Sequence, residues 1–143
     1  MCVKQVSVIL ENIPGMFLSV SECLARENIN IRAISVADTS DTSTVRFVTD
    51  NPQKTVSVLK SAGYKILEND VIAVEIPDHP GALRAVLKPL RELNINVLYF
   101  YTYLGRGESG QPIVIIGVDR TEEAVEALKK NWVHTFGNEI YAL

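Results

Sequence analysis

A chain of 143 residues has room for one ordinary domain or two very small ones, and 47% hydrophobic with 22% charged residues is the balance of a globular chain, which excludes disorder. Fourteen Lys+Arg against 17 Asp+Glu give a net charge of −3, with the basic residues scattered singly apart from Lys129-Lys130; nucleic acid is excluded as a partner. No apolar run approaches about 18 residues, so no membrane partner and no signal peptide are expected, and two cysteines, Cys2 and Cys23, are too few and too poorly spaced for a disulfide framework or a zinc site. A reducing, cytoplasmic setting is expected.

In chain order, residues 3–10 form an apolar, β-branched run that reads as a strand. The turn pair Pro14-Gly15 follows, then a 3.6-residue pattern with Phe17, Val20 and Leu24 on one helical face. Residues 31–37 and 44–49 read as two strands joined by a polar hairpin. Asn51-Pro52 opens a second helix, an N-cap with proline at the first helical position. A short strand at 64–67 closes the set, and Glu68-Asn69-Asp70 is the only polar run before the next strand at 71–76.

From there the elements recur. Pro80-Gly81 leads into a helix with Leu83, Val86 and Leu90 on one face; Pro89 lies inside it and removes the hydrogen bond to the Ala85 carbonyl, so a kink or a short helix is expected. Strands at 97–104 and 112–118 follow. Thr121 then caps a helix carrying Glu122 and Glu123 in its first turn, as suits the helix dipole, before a last strand at 133–136. Sliding the chain by 66 matches residues 12–31 to 78–97 with Pro14, Gly15, Val20, Leu24, Asn28, Ile29 and Asn30 meeting identical types. Further on the offset becomes 69, with the extra residues between Gly105 and Gln111. The fold class is therefore α+β, two tandem βαββαβ ferredoxin-like repeats with antiparallel sheets and the helices on one face, divided as 1–68 and 69–143.

Asn12-Ile13-Pro14-Gly15, a helix, then Asn28-Ile29-Asn30-Ile31, repeated as Asp78-His79-Pro80-Gly81 and Asn94-Ile95-Asn96-Val97, resembles the ACT domain, twice, over essentially the whole chain. The resemblance implies a sensor that binds a free amino acid and regulates an enzyme or transcription factor. The residues agree with that chemistry. Each Pro-Gly turn delivers the chain to a helix N-terminus whose first amides, at Met16 and Phe17 or at Ala82 and Leu83, face any nearby carboxylate. Gly15 and Gly81 allow close approach. Asn12 and Asp78 are candidates for a ligand's polar groups, Asp78 suiting an ammonium, and His79 for a hydrogen bond; Ile13, Pro14 and Pro80 complete the loops. Each of these residues also has a plain turn or cap explanation. His134 is assigned to structure.

Tyr99, Tyr101 and Tyr103 alternate along one strand and share a face, which suits a homodimer interface; an internal contact explains them equally. Gly105-Arg106-Gly107-Glu108-Ser109-Gly110 spells a dinucleotide fingerprint but leads into a strand through Gln111 and Pro112 rather than opening a helix, so it is expected to be a flexible hairpin loop, with a role as a mobile cover left open. No nucleophile with an adjacent base and no metal-ligand spacing is present, so neither catalysis nor a metal or other cofactor is expected. The alternative to a sensor is a ligand-free protein-interaction module that uses the open sheet face.

Overall fold

The computed structural model describes residues 2–143. Cα packing divides them into two compact units, Lys4–Asn69, and Asp70–Leu143 joined by the N-terminal residues as far as Val3. The first unit takes β1 (Val3–Glu11), α1 (Met16–Arg26), β2 (Ile31–Asp38), β3 (Thr42–Thr49), α2 (Pro52–Ser61) and the start of β4 (Lys65–Glu75). β3 lies antiparallel between β1 and β2, with Val6 opposite Phe47 and Val8 opposite Val45. Every second residue thus meets the helices, and Val6, Val8, Leu10, Val45 and Phe47 form one core with Val20, Cys23 and Leu24 of α1 and Leu59 of α2.

The second unit continues β4 into α3 (Ala82–Glu92), β5 (Val97–Arg106), β6 (Pro112–Val118), α4 (Thr121–Lys130), β7 (Thr135–Phe136) and a closing 3₁₀ turn at Asn138–Ala142. Its strands run in the order β5-β6-β4-β7, all antiparallel. Ile72, Val74 and Ile76 of β4 pack with Val86 and Leu90 of α3 and with Val125 and Leu128 of α4. Burying a leucine fully stabilises by about 1.5–3 kcal/mol, so each core is the main support of its unit.

All four helices end alike. At each, the amide three residues past the helix bonds back to the carbonyl five residues earlier: Ile29 to Leu24, Tyr64 to Leu59, Ile95 to Leu90 and Val133 to Leu128, at 3.0, 3.1, 2.9 and 3.0 Å. This Schellman closure requires a left-handed residue just before the bonded one. Asn28, Gly63, Asn94 and Trp132 supply it, with φ of 56°, 88°, 57° and 62°. The repeated Asn-Ile-Asn is thus a helix terminator followed by a clamp, because the Asn30 amide donates to Asp50 Oδ1 while the Asp50 amide returns to the Asn30 carbonyl. Asn96 and Asp119 repeat the same exchange.

Several expectations are corrected. The strands expected at 64–67 and 71–76 are one strand, β4, which runs through Glu68, Asn69 and Asp70 without a break. Pro89 does not shorten α3, which has 11 residues, as α1 does; its ring is buried at the position that Cys23 fills in α1. Phe17 points away from the core at 50% exposure. Asn51 caps α2 as expected, accepting from the Lys54 amide at 3.1 Å, but Thr121 is the first residue of α4 rather than its cap, and Arg120 precedes it without a side-chain cap bond. Tyr101 and Tyr103 are buried, and the Tyr103 hydroxyl donates to the Ile140 carbonyl at 2.8 Å. These two tyrosines are interior, so neither presents a free face to a second copy. Exposed instead are the alternate residues of β5, Leu98, Phe100 and Leu104.

Candidate functional site at the start of α3

β4 ends at Glu75 and the chain turns through Pro77-Asp78-His79-Pro80-Gly81 into α3. The turn is held locally: the Ile76 amide donates to the Pro112 carbonyl at 2.9 Å, the His79 amide to Pro77, and the Asp78 amide to Gln111 Oε1 at 3.3 Å. His79 Nδ1 donates to the neighbouring Pro80 carbonyl at 3.0 Å. Gly81 stands just before the helix at φ 85°, with open space where a Cβ would be. Its role is the left-handed turn and not relief of crowding. Asp78, His79, Pro80 and Gly81 are exposed, Leu83 is half-buried and Ala82 is buried.

The other loop is built the same way. The Asn12 amide donates to the Asp41 carbonyl at 3.0 Å, Gly15 takes φ 87°, and the Ser19 amide returns to the Gly15 carbonyl. Asn12, Ile13, Pro14, Gly15 and Phe17 are exposed and Met16 is half-buried. Neither Asn12 nor Asp78 caps its helix, since both helices begin on glycine with no side-chain cap bond.

A cavity of about 290 Å³ opens beside the second loop. Of the residues marked by the sequence, only Ala82 lines it. The rest of its wall was not legible as a site: Ala85, Val86 and Val133 form an apolar bed, while Glu75, Gln111 and His134 bring polar groups and Trp132 stands at 95% exposure. His134 Nδ1 donates to Glu75 Oε2 at 2.8 Å. That bond joins residues 59 positions apart, a separation no local motif could have revealed. Glu75 Oε1 is buried and accepts no hydrogen bond among the described residues.

The Glu75–His134 pair also borders a cleft of about 450 Å³, whose wall includes Glu108, Ser109, Phe136 and Glu139. The hydrogen bond from the Gly137 amide, foremost, and that from its own amide hold the Glu139 carboxyl below the ordinary carboxylate value, with the nearby His134 adding to the effect against a small burial penalty. The Gly105 to Gly110 segment is a closed hairpin turn into β6: the Gly110 amide donates to the Gly107 carbonyl at 2.8 Å and Arg106 Nη1 to the Gly110 carbonyl at 2.9 Å. Among the described residues, no three His, Cys, Asp or Glu side chains are grouped to hold a metal, and no helix is long and apolar enough to cross a membrane.

The cavity thus lies at the N-terminus of α3, with one carboxylate, Glu75, and an apolar bed in its wall, and the Ala82 amide beside it donates to the His79 carbonyl at 3.3 Å. The chain belongs to the ACT domain family: the family model described as an ACT domain pair matches residues 1–140. Among solved structures it is similar to protein BT0572 from Bacteroides thetaiotaomicron, at 30% identity and TM-score 0.91 over 100% of this chain and 98% of that one. It is also similar in fold to the ligand-free regulatory subunit of aspartate kinase from Thermus thermophilus (15% identity, TM-score 0.64) and to that from Thermus flavus (18%, 0.61), each over 90% of this chain and 92% of the other. No curated protein matches.

Proposed function

We propose that this chain is a non-catalytic regulatory protein made of two ACT-like repeats, 1–68 and 69–143, and that it binds a free amino acid in the cavity at the start of α3. The observation that carries the reading is the composition of that cavity's wall. The ligand carboxylate sits at the N-terminal end of α3, its ammonium meets Gln111 and the free Oε1 of Glu75, and its side chain lies on Ala85, Val86 and Val133. Two structural neighbours are regulatory subunits, the role assigned here, and the regulated partner is an enzyme or regulator that reads occupancy as a population shift.

The test is a thermal-shift screen against the twenty amino acids, followed by calorimetry. A ligand that binds only the folded chain raises its stability by about 2.7 kcal/mol at a hundred times Kd, so a selective rise in Tm for one or a few related amino acids is expected. Ala85→Lys, at an exposed helix position on the cavity wall, should fill the space and weaken binding at least ~10-fold without unfolding the chain. No rise and no saturable heat with any amino acid would overturn the reading.

A second reading, the interaction module, is favoured by the exposed row Leu98, Phe100 and Leu104 on β5. It expects a self-associating chain whose sedimentation changes with Leu104→Glu, and it fails if the wild type is monomeric at all concentrations and captures no partner.

A further inference from the structure

The four helix ends share one backbone motif and differ in the residue that carries it. Asn28, Gly63 and Asn94 belong to the two types that tolerate a left-handed conformation; Trp132, at φ 62°, does not. Sixty-nine residues earlier, at the equivalent place, Gly63 makes the same bonds. Glycine is therefore sufficient for the motif. The indole is also 95% exposed, so burial in the chain's own core does not offset the strained backbone. Strain maintained without a packing return is the mark of a residue kept for contact with something else. Trp132 is also one of the residues that line the cavity at the start of α3, beside the apolar bed of Ala82, Ala85, Val86 and Val133.

We propose that Trp132 is a ligand-contacting residue whose indole lies over the side chain of an amino acid bound in this cavity, and that it selects an aliphatic side chain, sandwiched between the ring and that bed. This inference rests on the amino-acid reading above. An aromatic face and an aliphatic chain bury apolar area on both sides at the cost of one ordered side chain, whereas the one carboxylate of the wall, Glu75, shares Oε2 with His134 and has only Oε1 left, which the ammonium common to every amino acid occupies, so no second anion remains for a basic side chain.

Trp132 is the chain's one tryptophan, so its fluorescence reports on this ring alone. The full-length chain is titrated with leucine, isoleucine and valine, and with aspartate and arginine as contrasts, by emission, acrylamide quenching and calorimetry, and calorimetry is repeated on Trp132→Gly and Trp132→Phe. Saturation with an aliphatic amino acid should blue-shift the emission and shield it from quencher. Trp132→Gly, which suits the backbone, should keep a Tm no lower than the wild type yet bind at least ~10-fold more weakly, and Trp132→Phe should recover most of the loss. Saturable heat with unchanged emission and undiminished binding by Trp132→Gly overturns the role of Trp132 and leaves the amino-acid reading standing. Heat with aspartate or arginine and none with the aliphatic set overturns the ligand class. Absence of heat with all twenty amino acids overturns both readings, and an emission shift that follows protein concentration alone shows a second copy covering the ring and overturns this one.

Discussion

Ala33 faces Val48 across β2 and β3 of the first unit, while at the corresponding places of the second unit Tyr99 faces Gly117 across β5 and β6. Each pair balances volume in its own way: a small residue and a branched one, or a large ring and no side chain at all. A Cβ on Gly117 would clash with the outer edge of the Tyr99 ring, so the ring can lie where it does only because position 117 carries no side chain. The two units keep the same helix-side core, with Leu24 and Leu90 both fully buried, and diverge on the opposite face of the sheet and around the cavity. Identity between the units marks what builds the fold, and difference marks where their surroundings part.

The comparison can be broken most forcefully in the shared core. Leu24→Ala and Leu90→Ala should each destabilise by about 2–5 kcal/mol in denaturant titrations, with matching values if the two cores are equivalent; a difference beyond that range would show that one unit collapses around the gap and the other does not. Gly117→Ala should cost about 1–3 kcal/mol by overpacking against Tyr99, and the double variant Tyr99→Ala with Gly117→Ala, which restores the kind of pairing found in the first unit, should not show that clash when measured against Tyr99→Ala alone. Asn51→Ala should cost about 1 kcal/mol through loss of the cap on α2, whereas Thr121→Ala should change Tm little, because α4 takes no cap bond from a side chain. The smallest effect is expected at the exposed Glu139. Its carboxyl titrates below the unfolded value of 4.5, so its contribution is present above that pH and fades as pH falls through the folded value. Glu139→Gln should therefore shallow the acid limb of Tm against pH, and less so in high salt.

Much of the architecture was legible in the residues because it is written in local terms. Period-2 and 3.6-residue patterns, the Pro-Gly turns and the Asn51 cap each act within a few positions, and the internal offset of 66 exposed their repetition. What was not legible depends on distant partners. Alternation in Tyr99, Tyr101 and Tyr103 identifies a shared face but not what covers it, and the turn at Ile140 that receives the Tyr103 hydroxyl lies 37 residues away. Glu68, Asn69 and Asp70 look like a linker by polarity, yet β4 runs through them without a break. The Pro-Gly loops were visible as candidates, whereas the wall of the cavity beside one of them comes from Glu75, Gln111, Trp132 and His134, drawn from β4, the β5–β6 turn and the connection between α4 and β7. Trp132 did carry a signal, since its match to Gly63 under the 69-residue offset marks a bulky residue where the backbone favours none.

The reciprocal clamps at the start of β2 and β5 give the molecule two internal clocks. Asn30 and Asp50, like Asn96 and Asp119, lie at the surface with their amides fully engaged, so deuterium enters these positions only when the clamp opens. Since the same two bonds close each, any gap between their exchange rates measures how much more readily one unit loosens than the other, residue by residue and in a chain that carries no label.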